Sequence, residues 1–298
     1  MVDPIAETPG PPTAQIPVPL RQHSRFASSF LPAPRDLVVY VPPGYDEDTG
    51  RRYPVLYLHD GQNVFEIARQ SPPGGGARPS PPDGTTDVPG QAWRVSDTAE
   101  ELVRTGVIEP LIIVGIYNTG SRRIDEYTPT RDRRQGAGGD AALYGRMLVE
   151  ELKPFIDREY RTLPDPANTG LGGSSLGGLV TLYLGVRHPG VYGKLAVLSP
   201  SVWWDNRVIL QLVRRTEPRP RPSIWLDIGT GEGGRTVRDA RALRNALVNA
   251  GWVLGSDLVY AEIPEVGHNE AAWAERVGPF LRVLFPARAS GDPLRASR

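Results

Sequence analysis

The sequence predicts an α/β fold, a mostly parallel sheet with helices on both faces. Three observations carry this. Short apolar runs alternate with longer amphipathic ones along most of the chain. Several short runs are apolar without a break, as strands covered on both faces must be. A Gly-x-Ser-x-Gly run, Gly173-Ser-Ser-Leu-Gly177, stands where one such strand passes into a helix. The length of 298 residues, without an internal repeat, suits one large domain.

Taken in order, residues 1–20 are a Pro-rich lead-in with the composition of a poorly ordered segment. A single domain is expected over residues 21–286, with 287–298 as a tail. Strands are predicted at Asp36–Val41, Pro54–His59, Leu111–Tyr117, Thr169–Gly172, Leu195–Ser199, Ile224–Ile228 and Leu258–Ile263. Helices are predicted between them, at Val95–Arg104, Ala141–Tyr160, Leu176–His188, Arg207–Arg214, Val237–Asn249 and Glu270–Phe285. The last places Trp273, Val277, Phe280, Leu281 and Leu284 on one face. Residues 71–91 form a Pro/Gly insertion past a strand end, read either as a surface loop or as a lid over a ligand.

Composition excludes several functions. Net charge is zero, which leaves no electrostatic footprint for nucleic acid. Cysteine is absent, so disulfides, thiolate catalysis and Cys-ligated metals are ruled out, and four His make a multi-His metal site improbable. No cofactor or metal is expected. No apolar run approaches the roughly 18 residues of a membrane span. The first residues lack a basic stretch followed by an apolar core, so a secretory leader is not expected and the cytoplasm is the expected location. Basic charge is almost all Arg, with Lys only at 153 and 194.

In Gly-x-Ser-x-Gly only Ser175 has glycine on both sides at two residues' distance. Joining a strand to a helix, such a serine sits on a strained turn with its hydroxyl exposed above the sheet. A hydroxyl needs a base to take its proton, and the base needs an acid to orient it. In a parallel scaffold the order is Ser, acid, His, each after a strand end. His268 follows the last predicted strand and precedes the last helix. The acid should follow the preceding strand. Glu232 is the first choice there, with Asp227 and Asp205 as alternatives. Backbone N–H groups must hold the developing oxyanion. Leu176 follows the nucleophile, and Gly61 with Gln62 follows strand Pro54–His59. His59 is read as structural or pocket-lining, and His188 as a partner of a helix C-terminus. Gly229-Thr-Gly-Glu-Gly-Gly234 mimics a dinucleotide loop, but only one strand remains beyond it, too little for such a domain.

The chain resembles the enterochelin-esterase/esterase D-like family of α/β-hydrolases. The resemblance spans roughly residues 24–286. It is carried by Val39-Tyr-Val-Pro-Pro-Gly-Tyr45, Tyr53-Pro-Val-Leu-Tyr-Leu-His-Asp-Gly-Gln-Asn63, Arg123-Ile-Asp-Glu-Tyr-Thr-Pro129, Gly172-Gly-Ser-Ser-Leu-Gly-Gly178, Leu198-Ser-Pro-Ser-Val-Trp-Trp204, Leu226-Asp-Ile-Gly-Thr-Gly-Glu232 and Gly267-His-Asn-Glu-Ala-Ala-Trp273. It implies Ser175 as nucleophile, His268 as base, Glu232 as acid and the Gly61–Gln62 loop in the oxyanion hole. Within the family the acid varies, and the long insertion is a departure.

The expected activity is hydrolysis of a small-molecule carboxylic ester through an acyl-enzyme. An acyltransferase using the same three residues is the alternative, and a ligand-binding protein without catalysis is the third reading. Trp203 and Trp204 either wall a substrate site or divide into one core and one exposed residue. Arg123 and Tyr127, with Arg122, either grip a substrate or belong to a structural Arg–Glu126 pair.

Overall fold

Branched and aromatic apolar runs build the centre of the molecule. In the computed structural model, which describes residues 20–66, 92–216 and 219–287, eight strands join in one sheet. They are β1 (Leu20–Phe26), β2 (Arg35–Tyr40), β3 (Val55–His59), β4 (Ile112–Ile116), β5 (Thr169–Ser174), β6 (Lys194–Leu198), β7 (Ser223–Gly229) and β8 (Leu258–Ile263). Their order across the sheet is β1-β2-β4-β3-β5-β6-β7-β8. Every neighbouring pair from β4 to β8 is parallel, and β2 runs antiparallel to both its neighbours, β1 and β4. All seven predicted strands are found, and the parallel sheet covered by helices is that of an α/β-hydrolase.

Successive residues of a strand point to opposite faces, and both faces here are apolar. Val39, Val55, Tyr57 and Leu171 enter one core, against helices α3 (Ala141–Arg146), α5 (Leu176–Arg187) and α7 (Gly234–Asn249). Val38, Leu56 and Leu58 enter the other, against α1 (Val95–Arg104) and α9 (Val277–Leu284). Each such side chain contributes about 1.5–3 kcal/mol by leaving water. Residues Leu176 to Val186 of α5 are all buried, which suits a helix that is apolar on every side.

Register sets the height of the site. Ser174, Leu198, Asp227 and Ala261 lie in one row across β5 to β8. Ser175 and Ser199 therefore stand just above the sheet, and the loop carrying Glu232 opens beside them.

Three predicted elements differ. The edge strand β1 was not expected, because its residues Arg21, His23 and Arg25 are polar; its position at the margin leaves one side open to water. The helix predicted at Ala141–Tyr160 consists of α3, a π turn at Met147–Leu152, and α4 (Lys153–Glu159). Pro154 lacks the N–H that a regular helix would require there. The helix predicted at Glu270–Phe285 is two, α8 (Glu270–Ala274) and α9. Pro279 fits the first turn of a new helix and not the interior of an old one. The 71–91 insertion, most of the lead-in and nearly all of the tail lie outside the described residues. Among the described residues no helix is long and apolar enough to cross a membrane.

Candidate active site

Ser175 has φ 57° and ψ −121°, a backbone conformation that L-residues avoid. Its N–H donates to the Leu198 carbonyl at 3.0 Å. Such a turn closes only if its flanks lack side chains: a Cβ on Gly173 would come within 2.9 Å of the Gly177 backbone. The result points the hydroxyl away from the sheet, at the N-terminus of α5.

His268 and Glu232 meet it there. His268 Nε2 lies 2.9 Å from Ser175 Oγ, and its Nδ1 lies 2.7 Å from Glu232 Oε2. A carboxylate only accepts, so Nδ1 carries the proton and Nε2 is left to accept from the serine. The His268 side chain is 43% exposed, whereas that of Glu232 is 1% exposed. Burial alone pushes the Glu232 carboxyl up. Hydrogen bonds from His268, Ser199 Oγ (2.5 Å) and the Gly229 N–H (2.9 Å) outweigh it and hold the carboxyl below its usual range. Glu232 is thus a fixed negative charge beneath the imidazole. The edge of the His268 ring also meets Trp273, with centroids 4.9 Å apart.

The glycines that mimic a dinucleotide loop serve this arrangement. A Cβ on Gly229 would collide with the Val266 carbonyl, and one on Gly231 would lie 2.8 Å from the Glu265 oxygen. The Gly231 N–H donates to Val266 at 3.1 Å. The loops that carry Glu232 and His268 are therefore nested, backbone against backbone. Glu262, where a ribose-binding acid would stand, is held by Arg241 at 2.8 and 2.7 Å.

Beneath Glu232 lies a network that sequence reading did not find. Ser199 Oγ donates to Glu232 and accepts from Arg276 Nη1 (2.7 Å) and Trp273 Nε1 (3.3 Å). Arg276 also bonds Asp227 at 2.8 Å. Asp227, the alternative acid, is fully buried and also accepts from Trp225 Nε1. Burial raises its carboxyl against the pull of Arg276. Asp205, the other alternative, accepts from Thr130 at 2.5 Å. Ser201, also missed, puts its hydroxyl 3.3 Å from Ser175 Oγ. No local spacing announces any of these partners; only the Ser-Pro-Ser run at the end of β6 hinted at them.

The loop after β3 reaches the same place. His59 and Asp60 abut Gly177 in the first turn of α5. Gly61 and Gln62 open a single 3-10 turn and Leu176 opens α5, so their N–H groups have no acceptor within their own helices. His59 is buried with Nδ1 on the Tyr144 hydroxyl at 2.9 Å, and burial lowers its pKa to about 3. His188 ends α5, but burial and Arg187 lower its pKa, the opposite of what a dipole contact would do.

A sequence profile of the family described as "Putative esterase" matches residues 28–278. The chain belongs to this esterase family. It is a carboxylic ester hydrolase. Among relatives, it is 29% identical over 214 residues to an endo-1,4-beta-xylanase/feruloyl esterase of Xylanibacter ruminicola, covering 70% of this chain and 24% of that one. It is 30% identical over 174 residues to the ferri-bacillibactin esterase BesA of Bacillus subtilis, covering 53% and 51%. The structure matches an IroE-like serine hydrolase of Shewanella oneidensis with a TM-score of 0.70 at 21% identity, covering 90% and 80%.

The residues expected to hold the esterase's substrate are placed unevenly. Trp203 is 39% exposed, whereas Trp204 is buried with Nε1 on the Thr130 carbonyl. Arg123, in α2 (Arg123–Glu126), is buried and holds Asp60 at 2.7 and 2.9 Å. The buried Tyr127 hydroxyl accepts from the Asp60 N–H at 3.2 Å. Both brace the loop after β3. The expected Arg–Glu126 pair exists, but its cation is Arg35, and Arg122 pairs with Asp140.

Glu270, two residues past His268, ties the His268 loop to the loop after β3. It accepts from Asn63 Nδ2 at 3.0 Å and from Trp93 Nε1. Burial, reinforced by the Asp60 charge, raises its pKa from 4.5 to about 7 against those two hydrogen bonds. The folded chain thus keeps a proton that the unfolded chain releases. This stabilisation is complete below about pH 4.5 and is lost as the pH rises through about 7. Glu270→Gln cannot ionise. Its stability relative to the parent should therefore improve between pH 5 and 8, by up to about 3 kcal/mol. Thermal unfolding of both proteins at the two pH values measures this. A difference independent of pH would mean that Glu270 is ionised throughout.

Proposed function

We propose that Ser175, His268 and Glu232 act as a catalytic triad that hydrolyses a small-molecule carboxylic ester through an acyl-enzyme. The supporting observation is the unbroken chain from Ser175 Oγ to His268 Nε2 at 2.9 Å and from His268 Nδ1 to Glu232 at 2.7 Å. Ser175 attacks the ester carbonyl while His268 takes its proton. The imidazolium forms beside the Glu232 carboxylate, which stabilises it and fixes the ring. The N–H groups of Leu176 and of Gly61 or Gln62 receive the oxyanion. His268 then protonates the leaving alcohol, and water, activated by the same nitrogen, releases the acid. Arg123, Tyr127 and Asp60 keep the oxyanion loop in place. The feruloyl ester named for one relative makes an ester with an aromatic acyl group the first to assay.

A fluorophosphonate tests the reading. One equivalent should abolish esterase activity and add the phosphonyl mass to the peptide carrying Ser175. Modification elsewhere with full loss of activity would refute the assignment. Esters assayed with added alcohols separate hydrolysis from acyl transfer, which shares every step up to the acyl-enzyme.

A further inference from the structure

A cleft of about 770 Å³ opens at the carboxyl edge of the sheet, lined by Arg131, Arg133, Arg134, Arg207, Arg235 and Trp203. Trp203 stands two residues past Ser201, whose hydroxyl meets Ser175, and Arg235 stands three past Glu232. Two of its lining residues thus neighbour, along the chain, groups that touch Ser175 and His268.

Two acids share the lining, Asp132 and Asp205, and the five arginines outnumber them. Asp132 accepts from the backbone N–H groups of Arg134 and Asp205, and Asp205 accepts from Thr130. Arg207 pairs with Asp239 at 2.6 Å and Arg131 bonds the Gly136 carbonyl. Among the described residues, the guanidinium groups of Arg133, Arg134 and Arg235 have no hydrogen bond or ion pair. Some exposed arginines elsewhere meet acids, as in Arg104–Glu101, Arg146–Glu150 and Arg241–Glu262, whereas others, such as Arg238 and Arg282, have no ion pair among the described residues. Asp205, Asn206 and Arg207 also have consecutive φ values of 40°, 53° and 64°. Residues other than glycine avoid such values, and strain of this kind collects at ligand sites.

We propose that this cleft binds a carboxylate carried by the substrate away from its scissile ester, with the adjoining apolar part of the substrate against Trp203. Guanidinium forks match the two oxygens of a carboxylate, and three without partners need no existing pair to be broken. The proposal deepens the esterase reading and rests on Ser175 as nucleophile.

The test uses matched esters. The 4-nitrophenyl ester of adipic acid, with its far carboxylate free or methylated, places the charge on the acyl side. 3-(4-Acetoxyphenyl)propanoate and its methyl ester place it on the alcohol side. At low salt kcat/KM should favour the charged member of one pair by about tenfold or more, and the preference should shrink with added NaCl. The triple variant R133Q/R134Q/R235Q should bring that ratio close to one, whereas Arg146→Gln, at a paired surface arginine, should leave it unchanged. If the triple variant does not fold, Arg235→Gln alone should lower the ratio. Equal kcat/KM within both pairs, or a preference that survives the substitutions, overturns the proposal. Ser175→Ala separates the two readings: if it cleaves all four esters at the parent rate, the nucleophile is wrong, whatever the cleft does.

Discussion

Ser175→Ala should lower kcat by about 10⁴-fold or more with the fold intact. The alanine removes one oxygen, the atom 2.9 Å from His268 Nε2, and leaves the backbone turn as it was. Without that oxygen no acyl-enzyme forms, and only the oxyanion donors and substrate binding remain to assist water. Ser174→Ala is the matched control. Ser174 ends β5 and is buried, one residue short of the strained turn. It should keep most of the activity. A dead Ser174→Ala enzyme beside an active Ser175→Ala enzyme would shift the nucleophile by one position.

Glu232→Gln should cost about 10²- to 10⁴-fold in kcat. The amide keeps the carboxylate's size, and its oxygen can still accept from Ser199 and Gly229. Its NH₂ group then faces His268 Nδ1 and favours the tautomer with the proton on Nε2, where it obstructs the serine. The stabilising charge beneath the imidazolium is lost as well. Asp227→Asn should act differently. Asp227 is paired with the buried Arg276, whose other acid, Glu232, stands farther off at 3.6 Å, so neutralising Asp227 leaves the guanidinium without its near partner. The expected loss is about 3–5 kcal/mol of stability, with kcat of the folded enzyme near that of the parent. Denaturant unfolding and kcat on one ester, measured for both variants, decide the matter. A near-normal Glu232→Gln enzyme beside a folded but inactive Asp227→Asn enzyme would make Asp227 the acid.

The sequence disclosed those parts of the molecule whose cause is local or periodic. Central strands are legible because burial on both faces demands unbroken apolar runs. The turn at Ser175 is legible because its glycines are required within two residues on each side. His268 and Glu232 could be chosen by chain order, since the topology places each strand end beside the next. The network under Glu232 follows no such rule. Ser199 reaches Glu232 across 33 residues and Arg276 across 77, and only the completed sheet brings them together. The sequence offers Arg123 and Tyr127 as substrate residues or as part of an Arg–Glu126 pair; their partner Asp60 lies 63 and 67 residues earlier, and no spacing reveals it. The break before α9 was legible in Pro279 and was overridden by a regular apolar face. β1 is the converse, a strand whose polar sequence reflects its exposed edge.

The nesting of the Glu232 loop against the His268 loop sets a conservative stretch of the site apart from a permissive one. Contacts of 2.8 Å or less at Gly229 and Gly231 leave no volume for any side chain, so random mutagenesis there yields mostly losses. In the cleft Arg133, Arg134, Gln135 and Trp203 are exposed, and most substitutions at such positions change stability by no more than about 0.5 kcal/mol. New substrate ranges are therefore most accessible, to laboratory selection and to natural drift alike, through the loop that begins at Arg131, while the catalytic geometry is inherited unchanged.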